Sequence, residues 1–199
     1  MAAPARRRGL TVRPLNTLPV PVLTDDQVMI RRPEARDAAT VLAGTRDPLV
    51  REFMQGVIPH QDLASAERWI AEVPPLLWAE GRAAYFSVAL GDCPSVGWAE
   101  LVDLRPAEAA AEAAVWLLPE ARSMKVASSA LRLVCRFGFE QLGLRRIDAY
   151  AAVDNMPVQV VGAYIGFRRA GFRSELFRSS RTQRLHDAVY ATLVPEDLC

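Results

Sequence analysis

Residues 109–131 read AAAEAAVWLLPEARSMKVASSAL, and how this stretch divides decides the fold. Its first half is rich in alanine, whose intrinsic preference is helical. Two observations oppose a helix there. No N-cap residue precedes the stretch, and it ends in the bulky run Val115-Trp116-Leu117-Leu118 before Pro119. Ala109 to Leu118 is therefore read as a strand. Pro119-Glu120-Ala121-Arg122 and a short loop follow, then a long helix that begins near Lys125. From Val126 to about Leu142, residues Ala127, Ala130, Leu131, Val134, Cys135, Gly138 and Leu142 keep helical spacing, and Gly143 supplies a stop. A helix start carries unpaired N–H groups and the positive end of the helix dipole. Arg122 and Lys125 add positive charge at the same place. Such a turn suits a phosphate or pyrophosphate, though an ordinary strand-to-helix connection has the same outline.

Working outward, Val28-Met29-Ile30 reads as a short strand, and Pro33-Glu34 opens a helix running to about Gly44. Asp62 is a candidate N-cap for a second helical region carrying Leu63, Ala66, Trp69 and Ile70, which Pro74-Pro75 is predicted to break. Strands are predicted over Ala84 to Leu90 and Ser95 to Asp103, joined by Gly91-Asp92-Cys93-Pro94. Beyond the long helix, Ile147 to Val153 reads as a strand and Val158 to Ile165 as a short helix closed by Gly166. Phe167 to Phe177 and His186 to Leu193 then form a hairpin with a polar tip at residues 179–182. The order predicts an α/β (α+β) domain over residues 25–199, with a mixed sheet of about seven strands and helices on both faces. Residues 1–24, rich in Arg and Pro and without period, are read as an extended basic arm.

Composition narrows the function. A chain of 199 residues with 51% hydrophobic and 24% charged residues is ordinary globular material. Its net charge of +1 excludes a globally basic nucleic-acid binder. Residues 121–199 nevertheless carry twelve Arg or Lys against seven Asp or Glu, a surplus that suits an anionic ligand or a solvated surface. Cys93, Cys135 and Cys199 show neither disulfide nor metal-ligand spacing, so no metal is expected. His60 and His186 stand far apart with no ligand pattern. No run approaches eighteen apolar residues and no signal-peptide apolar region forms, so a cytoplasmic protein without membrane contact is expected.

Several segments, in order and spacing, resemble the GNAT-type N-acyltransferases, in particular the branch of the ribosomal-protein alanine acetyltransferases. They are Ile30-Arg31-Arg32-Pro33-Glu34-Ala35-Arg36-Asp37, Arg46-Asp47-Pro48, Glu67-Arg68-Trp69-Ile70 and Val96-Gly97-Trp98-Ala99-Glu100. The central stretch quoted above follows, then Leu142-Gly143-Leu144-Arg145-Arg146-Ile147 and Val153-Asp154-Asn155. Gly166-Phe167-Arg168-Arg169-Ala170-Gly171-Phe172 and His186-Asp187-Ala188-Val189-Tyr190 complete the series, which spans roughly residues 28–197.

The resemblance implies a sheet whose fourth and fifth strands part to admit acetyl-CoA as co-substrate. Leu117 and Leu118 would flank the pantetheine arm. Arg122, Met124, Lys125, Val126 and Ala127 would hold the pyrophosphate, and Asn155 would reach the pantetheine or the thioester. Amine attack on a thioester needs a base. Glu112, on the strand face shared with Ala114 and Trp116, stands where the family's glutamate occurs, with Glu100 and Asp103 as rivals. The sequence departs from the family at two places. Lys125 replaces the loop glycine, and the family's acid positions are Val158 and Gly162, with Tyr164 about 200° round the helix from Gly162. The implied partner is a primary amine, a protein N-terminus or a small molecule, with Arg46 to Trp78 shaping its pocket. Two other classes stand beside it: a degenerate GNAT module that binds a partner or metabolite without turnover, and ribosome or nucleic-acid binding through the arm, which is less expected. The edge of the terminal hairpin offers pairing to a second copy.

Overall fold

The computed structural model describes residues 12–199. Eight strands form one sheet: β1 (Leu23–Asp25), β2 (Val28–Arg31), β3 (Ala84–Leu90), β4 (Ser95–Arg105), β5 (Ala110–Leu117), β6 (Arg146–Ala152), β7 (Arg168–Arg178) and β8 (Leu185–Leu193). Their spatial order is β1-β2-β3-β4-β5-β6-β8-β7. Every neighbouring pair is antiparallel except β5 and β6, which run parallel. The alanine-rich stretch is thus a central strand, as its bulky C-terminal end implied. Small side chains suit it, because Ala110, Ala111 and Ala113 are buried.

Helices α1 (Ala38–Arg46), α2 (Pro48–Phe53), α3 (Leu63–Ala79), α4 (Met124–Arg136) and α5 (Met156–Tyr164) complete the domain. On one face of the sheet, Ala38 and Val41 of α1 and Ala66 and Ile70 of α3 pack on Trp98. On the other, Leu131, Val134 and Cys135 of α4 pack on Phe86, Leu101, Ala111 and Ile147. The stripe read from Val126 onward is the buried side of α4, which widens over Phe137–Leu142 and stops at Gly143 with φ +76. That left-handed conformation is one glycine adopts without steric cost.

Three features refine the reading from sequence. Pro74-Pro75 does not end the second helix, since α3 runs on to Ala79. Each interior proline costs about 3 kcal/mol or more. The helix is secured at both ends, by a capping box between Asp62 and Ser65 and by buried Trp78, whose Nε1 donates to Leu18 O at 3.0 Å. Second, the sheet has eight strands, because β1 pairs with β2 ahead of the expected first strand. Third, part of the arm is domain. Leu15 is buried in the main core, with Val12, Leu18, Val20 and Leu23 packed against it. Residues 1–11, including Arg6, Arg7 and Arg8, lie outside the described residues.

Candidate active site

The parallel pair β5–β6 is short. Ala110, Ala111 and Glu112 face Arg146, Ile147 and Asp148, and beyond Glu112 the pairing stops. The strands then diverge, and a cavity of about 1110 Å³ opens between them. Its walls are Ala113–Leu117 of β5, Ala149–Ala151 of β6, the start of α4, most of α5, and Leu49, Val50 and Phe53 of α2. Backbone groups of β5 beyond Glu112 have no β6 partner, so an extended ligand carrying amides can take their place.

Of the site residues read from sequence, Leu117, Arg122, Met124, Ala127 and Asn155 line this cavity. Leu118, Lys125, Val126 and Glu112 are not part of its wall. Leu118 closes onto β4, its N–H donating to Val96 O at 2.8 Å. Lys125 turns away, its Nζ 2.5 Å from Asp26 Oδ2 in the β1–β2 turn. In this arrangement the lysine side chain stands outside the cavity wall. Ser123 N-caps α4, accepting from Val126 N–H at 3.2 Å, and Ser123 O accepts from Ala127 N–H at 3.0 Å. The amides of Met124 and Lys125 thus remain without an acceptor among the described residues, at the mouth of the cleft. Arg122 donates Nε to Leu117 O at 3.0 Å and an Nη2 to Asp47 Oδ1 at 2.5 Å.

On the α1/α3 face of the sheet, Glu100 of β4 lies opposite Ala114, and Val102 lies opposite Glu112. The two glutamates are diagonal neighbours on that face, and neither carboxylate receives a hydrogen bond from the described residues. Burial, then the charge of Asp103, pushes Glu112 up to about 7 against the opposing pull of Arg105. Burial, then the charge of Glu112, pushes Glu100 up to about 8. Asp103, the other rival, is exposed and sits in the β4 bulge beside Arg105. Across the split stands Tyr150 of β6, stacked on Tyr190 with ring centroids 5.0 Å apart. Burial, then Glu112, raises its phenol above the ordinary value. Ala114 thus sits among two partly protonated carboxyls, a phenol and the Trp116 ring. Such a setting can hold an amine and move its proton. Tyr164, by contrast, is 60% exposed.

Sequence reasoning missed α2 and the groups that anchor it. Buried Glu52 accepts from Ser179 Oγ at 2.9 Å, Arg181 Nε at 3.0 Å and Thr182 Oγ1 at 3.2 Å. His186 Nε2 stands 2.9 Å from Glu52 Oε1, and His186 Nδ1 stands 3.1 Å from Asp154 Oδ1, beside Asn155. Burial opposes ionisation of Glu52, yet these donors hold it down at about 2. Asp47 before Pro48 was the available signal, an N-cap with proline at the first helical position.

A mixed sheet opened between two parallel strands, with a helix N-terminus at the mouth of the opening, defines an acyltransferase architecture. A family model described as Acetyltransferase (GNAT) domain matches residues 27–168, and the chain belongs to that family. Similar solved structures include RimJ from Mycobacterium smegmatis in complex with CoA-disulfide, 23% identical over 90% of this chain and 88% of that one, with a TM-score of 0.74. RimL, a ribosomal L7/L12 alpha-N-protein acetyltransferase in complex with coenzyme A, is 14% identical over 87% and 98%, with a TM-score of 0.74. The GNAT-family acetyltransferase from Bacillus anthracis is 22% identical over 88% and 99%, with a TM-score of 0.72. At these identities the likeness is one of fold. No curated protein matches the chain by sequence.

Proposed function

We propose that this chain is an N-acetyltransferase that moves the acetyl group of acetyl-CoA to a primary amine. The observation that carries the reading is the β5–β6 split, which opens beside unpaired α4 amides and narrows toward Glu112. In this assignment the amides of Met124 and Lys125, with Arg122, take the diphosphate. The freed backbone of β5 pairs with the pantetheine amides, and Asn155 sits beside the arm. Bound there, acetyl-CoA supplies the thioester.

Glu112 is the assigned base. Its proton affinity lies near neutrality, where a base is both deprotonated and able to take a proton. Glu100 stays protonated at neutral pH and so adds little negative charge beside it. Tyr150 is the assigned donor to the departing thiolate, in place of the helix positions held by Val158 and Gly162. Besides Ser123 at the α4 cap, it is the hydroxyl-bearing side chain that the described residues place in the cavity wall. Nitrogen bonds to the acyl carbon, the carbon–sulfur bond breaks, and the proton count balances through Glu112 and Tyr150.

RimJ and RimL as fold neighbours favour a protein N-terminus as the acceptor. The test is calorimetric titration with coenzyme A, followed by thiol release from acetyl-CoA with peptides bearing a free N-terminus. The expected result is micromolar coenzyme binding and peptide-dependent release. Binding without release from any amine, or no binding at millimolar coenzyme, overturns the enzyme reading and leaves the module that binds a partner or metabolite without turnover.

A further inference from the structure

The two ends of α2 are held very differently. At its C-terminal end, Glu52 is buried and tied to Ser179, Arg181, Thr182 and His186, and Ser180 N–H donates to Arg51 O at 2.9 Å. At its N-terminal end, where Asp47 N–H donates to Gly44 O of α1 at 3.1 Å, the polar side-chain contact to another element among the described residues is the 2.5 Å pair between Asp47 Oδ1 and Arg122 Nη2. The two groups occupy different roles in the cleft. Asp47 caps α2 through the amides of Leu49 at 2.9 Å and Val50 at 3.0 Å, and Leu49, Val50 and Phe53 form the cavity wall beside β5. Arg122 belongs to the turn that faces the α4 amides.

Resting on the coenzyme reading above, we infer that Asp47 and Arg122 form a latch between the diphosphate turn and the acceptor-side helix. The Arg122 guanidinium has one strong anionic partner at a time. It rests on Asp47 when the cleft is empty and moves to the diphosphate when coenzyme A binds. Burial opposes ionisation of Asp47, yet the Val50 amide, Arg122 and the Leu49 amide hold it below the ordinary carboxylate range, and the two capping amides remain when Arg122 leaves. Release removes the polar tie between the N-terminal end of α2 and the diphosphate turn, while the Glu52 network holds the other end. Leu49 and Val50 of the cavity wall follow directly on the residue that this exchange releases. Asp47 is in these terms a positioning residue that acts through Arg122.

The geometry makes an unusual demand: removing a native ion pair must strengthen ligand binding. Asp47→Asn keeps a competent N-cap and removes the competing charge. Coenzyme A, titrated calorimetrically into the full chain, should bind Asp47→Asn about two- to fivefold more tightly than the parent, the scale of one partly exposed pair. Asp47→Ser, another good cap, should do the same, and equal melting temperatures check the fold. In an Arg122→Ala background the gain should vanish. Unchanged or weaker binding by both Asp47 variants overturns the latch. A gain that persists without Arg122 also overturns it, because Asp47 would then act on the diphosphate directly. If the parent chain binds no coenzyme A, the acetyltransferase reading itself falls and takes the latch with it.

Discussion

Two sets of carboxylates, one buried and one half-buried, lie at the same sheet and have opposite fates. Asp37, fully buried between β2, β3 and β4, receives Arg31 through two nitrogens at 2.7 and 2.8 Å. It also accepts from Ser87 Oγ at 2.7 Å, Ser95 N–H at 2.9 Å and Glu34 N–H at 3.0 Å. Burial opposes its ionisation, but these donors outweigh it and hold the carboxyl at about 2. Glu100 and Glu112 receive no such donors and are driven up by burial instead. The fold completes one carboxylate and leaves two incomplete. Incompleteness inside a protein is costly. For the pair near the cleft, proton exchange is the role proposed above.

The sharpest way to break this contrast is to exchange the proton-accepting group. Glu112→Gln should lower acetyl transfer by about 10²–10⁴-fold, the usual contribution of a positioned base. Coenzyme affinity should change little. In the parent, kcat/KM should rise with pH through about 7, because only the deprotonated Glu112 accepts a proton. Thiol release from acetyl-CoA across pH 5.5–9 measures both. A Glu112→Gln enzyme with parental rates would reassign the base.

Asp37→Asn tests the completed side. It strands the Arg31 guanidinium in the interior, and breaking a buried pair typically costs about 3–5 kcal/mol. Urea unfolding should show this as a lower midpoint. The sign with pH also differs from that of the glutamates. A carboxyl depressed in the fold stabilises above its unfolded value and loses that stabilisation as pH falls toward about 2.

These two sites were unequally legible in the sequence. Glu112 could be placed, because strand alternation puts it on the face of Ala114 and Trp116, and the register confirms that face. Arg31 and Asp37 appeared only as part of a family-like string, since their pairing is closed by Ser87 and Ser95 from distant strands. His186 was set aside for want of a nearby partner, and the chain brings it Glu52 from 134 residues away. Helix α2 has six residues, too few for an apolar period to emerge. Pro74-Pro75 misled because local propensity was overruled by burial of Trp78. The pairing of Lys125 with Asp26 was not legible, because Asp26 lies in a turn that sequence does not place beside α4.

Glu100→Gln sharpens the contrast on a smaller scale. A carboxyl raised in the fold binds more protons there than in the unfolded chain between its two titration points. Parental stability should therefore decline as pH rises from about 5 toward about 8. Each unit shift in proton affinity corresponds to about 1.4 kcal/mol. Glu100→Gln should flatten that decline and exceed the parent in stability at pH 9, as read by denaturant midpoints. A parental slope retained in the variant would mean that Glu100 is already ionised near neutrality.

The smallest effect belongs to a third arrangement, the exposed pair of Lys125 and Asp26. Both side chains are mostly in water, so their attraction is screened and holds little in place. Lys125 stands where the family has a glycine, yet its ammonium is already on the far side of the turn, against the β1–β2 connection. On the proposed reading, Lys125 offers an anion its backbone amide, beside the Met124 amide and the Arg122 side chain, and an amide survives a change of side chain. Lys125→Ala should alter coenzyme A affinity by no more than about twofold in calorimetry, the scale of a weak exposed pair. Arg122→Ala should weaken binding by more. A loss above tenfold in Lys125→Ala would show that the lysine swings back onto the diphosphate, and the charge at this turn would then come from both residues.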